Sequence, residues 1–438
     1  MTRGTMKEDN ALIDALGHGE LHARLGALAS LVEAEPRKKS SGGINLHIHT
    51  NESYSVFRSP AEAVWHAYRN GVECLGINDH YTIAGHAEFD KACRIAGIRA
   101  VFSIEAIAMD QEAVIDARRY NDPDNPGRCY LIGKGVTRDL KKGGKYDILL
   151  RRMKAAIQRR NRKIVALMNV YTAEKGYPMD LGYSDVRDLT PRGNATERHV
   201  VQAFCARVDG LAVRPEQRHE MYRKFLGDDV TEATLNDPAD LLKTVRARLV
   251  KSGKPCYADE DEEAFASIEE LVAMFNEYGA VPSYPFMGLP VTEEEADLDL
   301  LFKKAIGYGM YAFDLVEFRT SHDRASAIIS YAGRKGFPVF VGTEHNTKRL
   351  DPIVGDIATD PGLRGYIEKS SHFVLGHQIL TSLLGYGYLA DTGKPRIDNL
   401  REGFDLFSSV GAMDLSPERI EELAKTDRKS RKKALGID

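Results

Sequence analysis

The chain has 438 residues, of which 43% are hydrophobic and 28% charged, with 38 Gly and 17 Pro, which is an ordinary globular composition. At roughly 100 to 200 residues per domain, this length predicts two to four domains or one large barrel with insertions. The 60 basic and 64 acidic residues give a net charge of −4, which provides no argument for nucleic acid or an anionic membrane as the default partner.

Targeting and redox signals are weak in this sequence. No apolar run approaches the roughly 18 residues needed to cross a bilayer, and the N-terminus has no apolar signal core. We therefore expect a cytoplasmic protein.

The five cysteines are dispersed, odd in number and without a C-x-x-C pair, so neither a disulfide framework nor a zinc ribbon is indicated.

The first predicted element is a helix over residues 11 to 34, where apolar residues recur at helical spacing before a polar linker. Its leucines could pack on a second subunit or on the same chain, and we favour the same chain. A short capped helix with a basic end is expected after residue 414.

From residue 44 onward, short apolar runs alternate with helix-length segments, which is the rhythm of repeated βα units. The expected strands are residues 44–49, 73–78, 99–105, 128–133, 280–285, 312–318 and 337–342. Seven such strands predict a closed parallel barrel, in which catalytic groups lie at the C-terminal ends of the strands.

About 140 residues separate the fourth and fifth strands, and most of them have a helical pattern. This predicts an inserted, mainly helical cap. Its beginning, residues 134–163, holds twelve Lys and Arg against two Asp, which suits either a solvated helix face or a lid that attracts anions. The expected divisions are a helix and linker (1–43), a barrel (44–136 and 264–392), a cap (137–263) and a helical tail (393–438).

Titratable residues cluster at the ends of the predicted strands. His47 and His49 lie at positions i and i+2 of a strand, so both side chains project from one face and can bind one ion. Further candidates at strand ends are Asp79, His80, Glu105, Glu317, Glu344 and His345. Imidazole and carboxylate ligands suit Zn, Mn or Fe, so we expect a site for a divalent transition metal.

Four segments at barrel spacing, HIHT (47–50), INDH (77–80), SIEA (103–106) and GTEH (342–345), resemble the successive motifs of the PHP (polymerase and histidinol phosphatase) superfamily. The resemblance implies a distorted (β/α)₇ TIM-like barrel with an inserted helical cap. It also implies metal ions at the strand ends and, in many members, hydrolysis of phosphate esters.

Residues 192–204, RGNATERHVVQAF, are similar to a cap segment of the nucleotide and oligonucleotide phosphatases of this superfamily. The similarity implies that Arg198 and His199 face the substrate phosphate, with Arg192 nearby and His199 as a candidate donor to the leaving oxygen. A turn that opens a helix also offers free backbone N–H groups to an anion.

The departures from the family pattern concern ligands. Tyr54 and Ser55 stand where the first motif normally supplies another ligand, and Tyr284 replaces a metal-binding His, so that its phenol is expected to donate a hydrogen bond to substrate. Either Glu344 or Glu317 could replace the usual aspartate of the last motif. With two expected ligands absent, we expect one or two bound metals.

The resulting assignment places the first metal on His47, His49 and Glu105, and a shared or second position on His80, His345 and one of the two later glutamates. Asp79 would orient His80 or handle protons. The leading hypothesis is a phosphomonoesterase that acts on a small anionic metabolite or nucleotide through metal-activated water. The alternatives are a metal-dependent hydrolase, lyase or isomerase of non-phosphorylated sugar acids, and a degenerate barrel that binds nucleic acid. The oligomeric state stays open.

Overall fold

A seven-stranded sheet lies at the centre of the computed structural model, which describes residues 10–37, 43–287, 290–413 and 415–437. The strands are β1 (Gly43–Ile48), β2 (Val72–His80), β3 (Arg99–Met109), β4 (Arg128–Lys134), β5 (Val281–Phe286), β6 (Ala312–Val316) and β7 (Val339–Gly342). Each expected strand overlaps an observed one. The sixth strand ends earlier than expected, because Glu317–Arg319 forms a 3-10 turn.

The strands are not all parallel, so the prediction of a parallel barrel is corrected at one position. Strand β4 runs antiparallel to both β3 and β5, while the other neighbouring pairs are parallel. The cause lies in the connection between β3 and β4, which contains only a helix of five residues and a loop. That connection returns the chain to the end of the sheet where β3 finished, so β4 must run back through it.

The sheet closes on itself at one end. The order of the strands is β1 to β7, and a parallel bridge joins Ile48 to Glu344 just after β7. The His49 amide donates to the Glu344 carbonyl at 2.7 Å, and the Glu344 amide donates to the His47 carbonyl at 2.8 Å. The result is a mixed α/β architecture with a nearly closed, barrel-like sheet.

Helices occupy most connections between the strands. Those up to β4 are α1 (Leu21–Ala34), α2 (Pro60–Arg69), α3 (His86–Ala96) and α4 (Gln111–Ile115). Those after β5 are α12 (Glu293–Ala296), α13 (Leu298–Tyr308), α14 (His322–Lys335), α15 (Asp356–Thr359), α16 (Arg364–Leu384), α17 (Leu400–Gly411), α18 (Pro417–Ala424) and α19 (Arg428–Ala434).

The interval between β4 and β5 is mainly helical. Its helices are α5 (Lys145–Glu174), α6 (Tyr183–Arg187), α7 (Glu197–Leu211), α8 (Pro215–Leu226), α9 (Glu232–Asn236), α10 (Pro238–Val245) and α11 (Ile268–Glu277), with a π turn at Arg246–Val250 and a 3-10 turn at Glu262–Ala264. We call residues 145–264 the β4–β5 helices. They enclose a hydrophobic cluster of their own, separate from the cluster around the sheet.

Helix α5 connects these two clusters. Its 30 residues span about 45 Å at 1.5 Å per residue. Leu149, Leu150 and Met153 of its first half pack into the cluster around the sheet. Ile164 and Met168 of its second half pack into the cluster of the β4–β5 helices. One continuous helix therefore positions that second cluster relative to the sheet.

The two ends of the chain pack onto the barrel helices. The helix expected over residues 11–34 is interrupted by a turn at residues 16–20, where Gly19 has a φ of 76°. Leu28 and Leu31 of α1 join a cluster formed with α2 and α3, as expected for packing on the same chain. The tail forms two capped helices, α18 and α19, rather than one.

Within the described ranges, no helix combines the length and apolar character needed to span a bilayer.

Candidate metal centre

The imidazoles of His47, His49 and His80 converge on the Glu105 carboxylate at the end of the barrel where β1 and β2 finish, and Glu105 lies beside them within β3. We call these four residues the imidazole cluster. His47 Nε2 lies 3.1 Å from Glu105 Oε2, and His49 Nε2 lies 3.7 Å from the same oxygen. His80 Nδ1 lies 3.8 Å from Glu105 Oε1. Parallel strands bring these residues together because their carboxyl ends meet at one edge of the sheet.

Several ring nitrogens of this cluster have no hydrogen-bond partner in the described part of the chain. They are His47 Nδ1, His49 Nε2 and His80 Nδ1, all of which are buried. Leaving a buried polar atom unpaired costs free energy, so such atoms indicate a missing ligand. Donor atoms of His47, His49 and Glu105 lie within 4.8 Å of one another, which is compatible with one metal ion. The donor set fits Zn, Mn or Fe.

Burial sets the protonation states of the cluster. Desolvation, reinforced by the positive charge of Lys134, lowers the pKa of His47 to about 4. Desolvation likewise lowers the pKa of His49 well below its usual range. The same effect raises the pKa of Glu105 to about 8. Both imidazoles are therefore neutral at pH 7 and have lone pairs available for a cation.

Asp79 positions His49 rather than His80. Its carboxylate accepts hydrogen bonds from the Thr50 amide at 2.7 Å, from Thr50 Oγ1 at 2.6 Å and from Ser53 Oγ at 2.6 Å. Ser53 Oγ also lies 3.3 Å from His49 Nδ1. The loop after β1 is thus tied to β2 through this carboxylate, and the expectation that Asp79 orients His80 is replaced by an indirect contact with His49.

Asn78 is a site residue that the sequence reasoning missed. Its Nδ2 donates to Glu105 Oε2 at 2.7 Å and lies 2.8 Å from His47 Nε2. The sequence could have indicated this role, because Asn78 precedes His80 by two residues and therefore shares its face of β2. Asn78 holds the carboxylate and an imidazole in one arrangement.

The last motif contains two residues in the left-handed backbone region. Glu344 has a φ of 62° and His345 a φ of 54°, a conformation that costs side-chain-bearing residues energy and that clusters at functional sites. Both nitrogens of His345 are engaged, Nδ1 with Thr343 Oγ1 at 2.7 Å and Nε2 with the Asp351 carbonyl at 3.0 Å. Its ring also stacks on Phe57. The structure therefore places His345 outside the cluster, in contrast to the expected ligand role.

The two later glutamates occupy different environments. Glu344 lines two cavities beside the imidazole cluster, which are described below, and its carboxylate lies 3.8 Å from Arg319. Glu317 instead accepts a hydrogen bond at 2.6 Å from the amide of Ala358 in helix α15. Burial raises the pKa of Glu317 to about 7. Of the two alternatives, only Glu344 lies near the imidazoles.

Tyr284 lies on the outer face of the sheet, so its expected contact with substrate is corrected. Its hydroxyl donates to Glu295 at 3.2 Å, and its ring packs against Phe286. The preceding residue, Ser283, instead donates to Asp314 inside the barrel. Because side chains alternate along a strand, an inward Ser283 requires an outward Tyr284.

The segment predicted to face the phosphate does approach the site, through an asparagine. Asn194 Nδ2 donates to the carbonyls of Glu52 at 2.8 Å and His80 at 2.9 Å. Arg192 is half exposed and forms an ion pair with the buried Glu52. Arg192 is thus engaged by a carboxylate, and the tie between the β4–β5 helices and the barrel is made by Asn194.

Arg198 and His199 have different surroundings. The Arg198 guanidinium lies over the Tyr54 ring, and no carboxylate of the described residues lies within ion-pair distance of it. His199 is buried, accepts the Thr196 amide at Nδ1 and packs edge-on against Tyr54. Burial and the nearby cation Lys348 lower the pKa of His199 to about 3. His199 is neutral and caps a helix, which does not suit the expected role of proton donor.

Two adjoining cavities of about 560 and 320 Å³ open beside the cluster, between the end of the barrel and the β4–β5 helices. Residues shared by the two linings include Tyr54, Asp124, Arg198, Arg246, Lys251, Arg319 and Glu344. Arg246 and Arg160 each bond Glu197 at 2.6 Å. Of the twelve basic residues at 134–163, Arg160 is the one that lines these cavities. Arg198 therefore stands out as a guanidinium available to an anion.

Comparisons with known proteins identify a related fold. No family model and no curated protein matches the sequence. A crystal structure from Bifidobacterium adolescentis, provisionally described as a metal-dependent phosphoesterase, aligns with a TM-score of 0.50 and 17% identity over 75% of this chain and 98% of the other. An amidohydrolase from Chromobacterium violaceum, with bound sulfate and no metal, aligns with a TM-score of 0.47 and 17% identity over 74% and 97%. At this identity the first likeness shows a shared fold.

Proposed function

We propose that the chain is a metal-dependent phosphoesterase of the PHP type that hydrolyses a phosphomonoester of a small anionic metabolite or nucleotide. The β4–β5 helices form its cap, and the cavities between cap and barrel hold the substrate. The provisional description of the Bifidobacterium protein as a metal-dependent phosphoesterase agrees with this proposal.

The observation that carries the proposal is the position of Arg198 beside the imidazole cluster. Arg198 lines the same cavity as His80 and Glu105. In agreement with this position, its positive charge contributes to lowering the pKa of both His49 and His80. A guanidinium without a carboxylate partner binds phosphate oxygens with two parallel hydrogen bonds. Metal ligands and an anion-binding cation are thus combined at one end of the barrel.

The proposed ligands are His47, His49, His80 and Glu105, with Glu344 at the edge of the cluster. A metal held there would lower the pKa of bound water and polarise a phosphoryl oxygen. Asn78 and Ser53 keep the ligands in place through the contacts described above. No protein nucleophile is needed for this chemistry.

One cation from the cap and one from the barrel would bind the phosphate. Tyr54 supports the Arg198 guanidinium, whose carbon lies 5.8 Å from the ring centre, and Lys348 lies over the same ring at 4.7 Å. Burial lowers the pKa of Lys348 to about 8, so this ammonium remains largely charged at pH 7. Two cations therefore flank one aromatic ring at the cavity wall, where they would stabilise the charge of a phosphoryl group.

The test combines metal analysis with a substrate panel. The purified protein is expected to contain at least one Zn, Mn or Fe per chain and to release phosphate from a subset of sugar phosphates and nucleotides. The double variant His49→Ala/Glu105→Gln should lose both metal and activity. A metal-loaded protein that releases no phosphate from any member of the panel would contradict the proposal.

A second candidate is a metal-dependent hydrolase, lyase or isomerase of a non-phosphorylated sugar acid. The observation in its favour is that both nitrogens of His345 are engaged, so the cluster has fewer available ligands than the family pattern supplies. Turnover of sugar acids by metal-loaded protein that leaves phosphate esters intact would favour this candidate.

A further inference from the structure

Lys134 is a buried lysine that crosses the inside of the barrel. It is fully buried, and no other lysine among the described residues is classed as buried. Its strand, β4, has β3 and β5 as neighbours, but its Nζ lies 2.7 Å from Asp314 of β6 and donates to the Leu46 carbonyl of β1 at 2.6 Å. Contacts with strands that are not neighbours require the side chain to pass through the interior.

The Leu46 carbonyl belongs to the peptide bond that leads into His47. The other polar end of that peptide, the His47 amide, is held by Asn45 Oδ1 at 3.1 Å. The pairing of β1 with β2 is irregular between Asn45 and Ile48. Where regular strand pairing is interrupted, the two polar groups of this peptide therefore bond to the side chains of Lys134 and Asn45.

The neighbouring strands leave this peptide little space. A Cβ at Gly76 of β2 would lie 2.6 Å from the Leu46 carbonyl oxygen. A Cβ at Gly342 of β7 would lie 2.4 Å from the His47 amide nitrogen. The irregular segment is thus fixed on both sides by close backbone approach, and its carbonyl is aimed at Lys134.

A buried ion pair is a poor means of stabilising a fold, because the desolvation of two charges offsets most of their attraction. Stability alone therefore does not account for the buried pair of Lys134 and Asp314. The hydrogen bond from the Lys134 ammonium to the Leu46 carbonyl suggests that the pair holds this part of β1 in place. Ser283 Oγ donates to the second Asp314 oxygen at 2.5 Å, so the carboxylate that holds the ammonium is itself fixed.

We propose that Lys134 is a positioning residue that, with Asp314 and Ser283, fixes the Leu46–His47 peptide so that His47 and His49 present their rings to one metal ion. This inference rests on the proposed metal centre. Contacts around a metal ligand typically change metal affinity by about 10- to 100-fold when they are removed.

The test is metal affinity, measured by competition with a chelator, in the full-length protein. The double variant Lys134→Met/Asp314→Asn removes both charges and retains the volume and an acceptor for Ser283. It should bind Zn or Mn about tenfold or more weakly than the parent, with an unchanged circular dichroism spectrum. The control is Lys304→Met/Glu294→Gln, which removes the ion pairs of Glu294 with Lys304, at 2.5 Å, and with Arg118, both outside the barrel, and should leave metal affinity unchanged.

The outcomes separate this inference from the proposed function. If the parent binds no metal, the proposed function and this inference both fail. If the parent binds metal and the folded double variant binds it equally well, only the positioning role of Lys134 is overturned. Should the double variant not fold, Ser283→Ala releases the carboxylate that holds the Lys134 ammonium, and the same two outcomes apply to it.

Discussion

The side-chain amide of Asn194 donates to the backbone carbonyl of His80 at 2.9 Å, which joins the β4–β5 helices directly to a residue of the imidazole cluster. The same amide donates to the carbonyl of Glu52, in the loop after β1. One side chain therefore fixes the position of the β4–β5 helices relative to two of the strands that supply the proposed ligands.

Asn194→Ala should weaken substrate binding as well as lower the stability of the fold. Loss of the two hydrogen bonds costs about 1 to 2 kcal/mol of stability. Because the β4–β5 helices are then held less firmly beside the imidazole cluster, we expect KM for the phosphate ester to rise about tenfold. Steady-state kinetics and thermal unfolding measure the two effects.

The matched control for this variant is Asn169→Ala. Asn169 makes two hydrogen bonds with Leu181 inside the β4–β5 helices, at 2.8 and 3.0 Å. The Asn169→Ala variant should lose a similar amount of stability and keep the KM of the parent. An equal rise of KM in both variants would show that general loosening of the helices, rather than the tie to His80, is responsible.

Metal affinity should increase with pH between about 6 and 8. Burial raises the pKa of Glu105 to about 8, so a metal must displace a proton from this carboxyl group at lower pH. Chelator competition at a series of pH values measures this dependence. Glu105→Gln removes the titrating group, so its weaker affinity should vary less over the same range.

The stability of the metal-free protein should change in the opposite direction. The folded-state pKa of Glu105 lies above its unfolded value, so the folded protein binds this proton more tightly. The contribution is fully present below pH about 4.5 and is lost as pH rises through 8. The difference in Tm between the metal-free parent and Glu105→Gln should therefore change over this range. A constant difference between the two proteins would contradict the assigned shift.

Arg198→Lys should raise KM for a phosphate ester about tenfold or more while metal content stays at the parent level. Lysine keeps the charge but cannot form two parallel hydrogen bonds with a phosphate. The control is Arg162→Lys, since Arg162 also lies over a tyrosine, Tyr183, on the β4–β5 helices. If both substitutions leave KM unchanged, Arg198 does not bind the phosphate.

Glu344→Gln and Glu317→Gln should have different effects on metal binding. Glu344 borders the cavities beside the cluster, so its neutralisation should weaken metal or substrate binding several-fold. Glu317 bonds the Ala358 amide and should affect only stability, by about 1 kcal/mol. Metal titration of both variants decides the question, and weaker metal binding by Glu317→Gln alone would reverse the assignment.

The sequence predicted the strands well because their signals are local. Apolar runs bounded by polar segments located all seven strands, and the spacing of His47 and His49 placed both rings on one face. The direction of β4 was not predictable in the same way. It depends on which end of the sheet the short connection after β3 reaches, which is a property of the assembled barrel.

In the candidate site, too, some features were predictable from the sequence and others were not. From the sequence we expected His47, His49 and Glu105 to share one metal, and His80 and His345 to meet beside them, because parallel strands bring their carboxyl ends to one edge. The structure brings His80 to Glu105 but leaves His345 outside the group. Three further features became apparent in the folded chain: Tyr284 faces outward, His345 is engaged by Thr343 and Asp351, and Lys134 reaches across to β1. Those outcomes depend on strand alternation, on a left-handed backbone turn and on contacts between strands distant in sequence. Local residue patterns do not encode such contacts, because the partners come together only when the barrel closes.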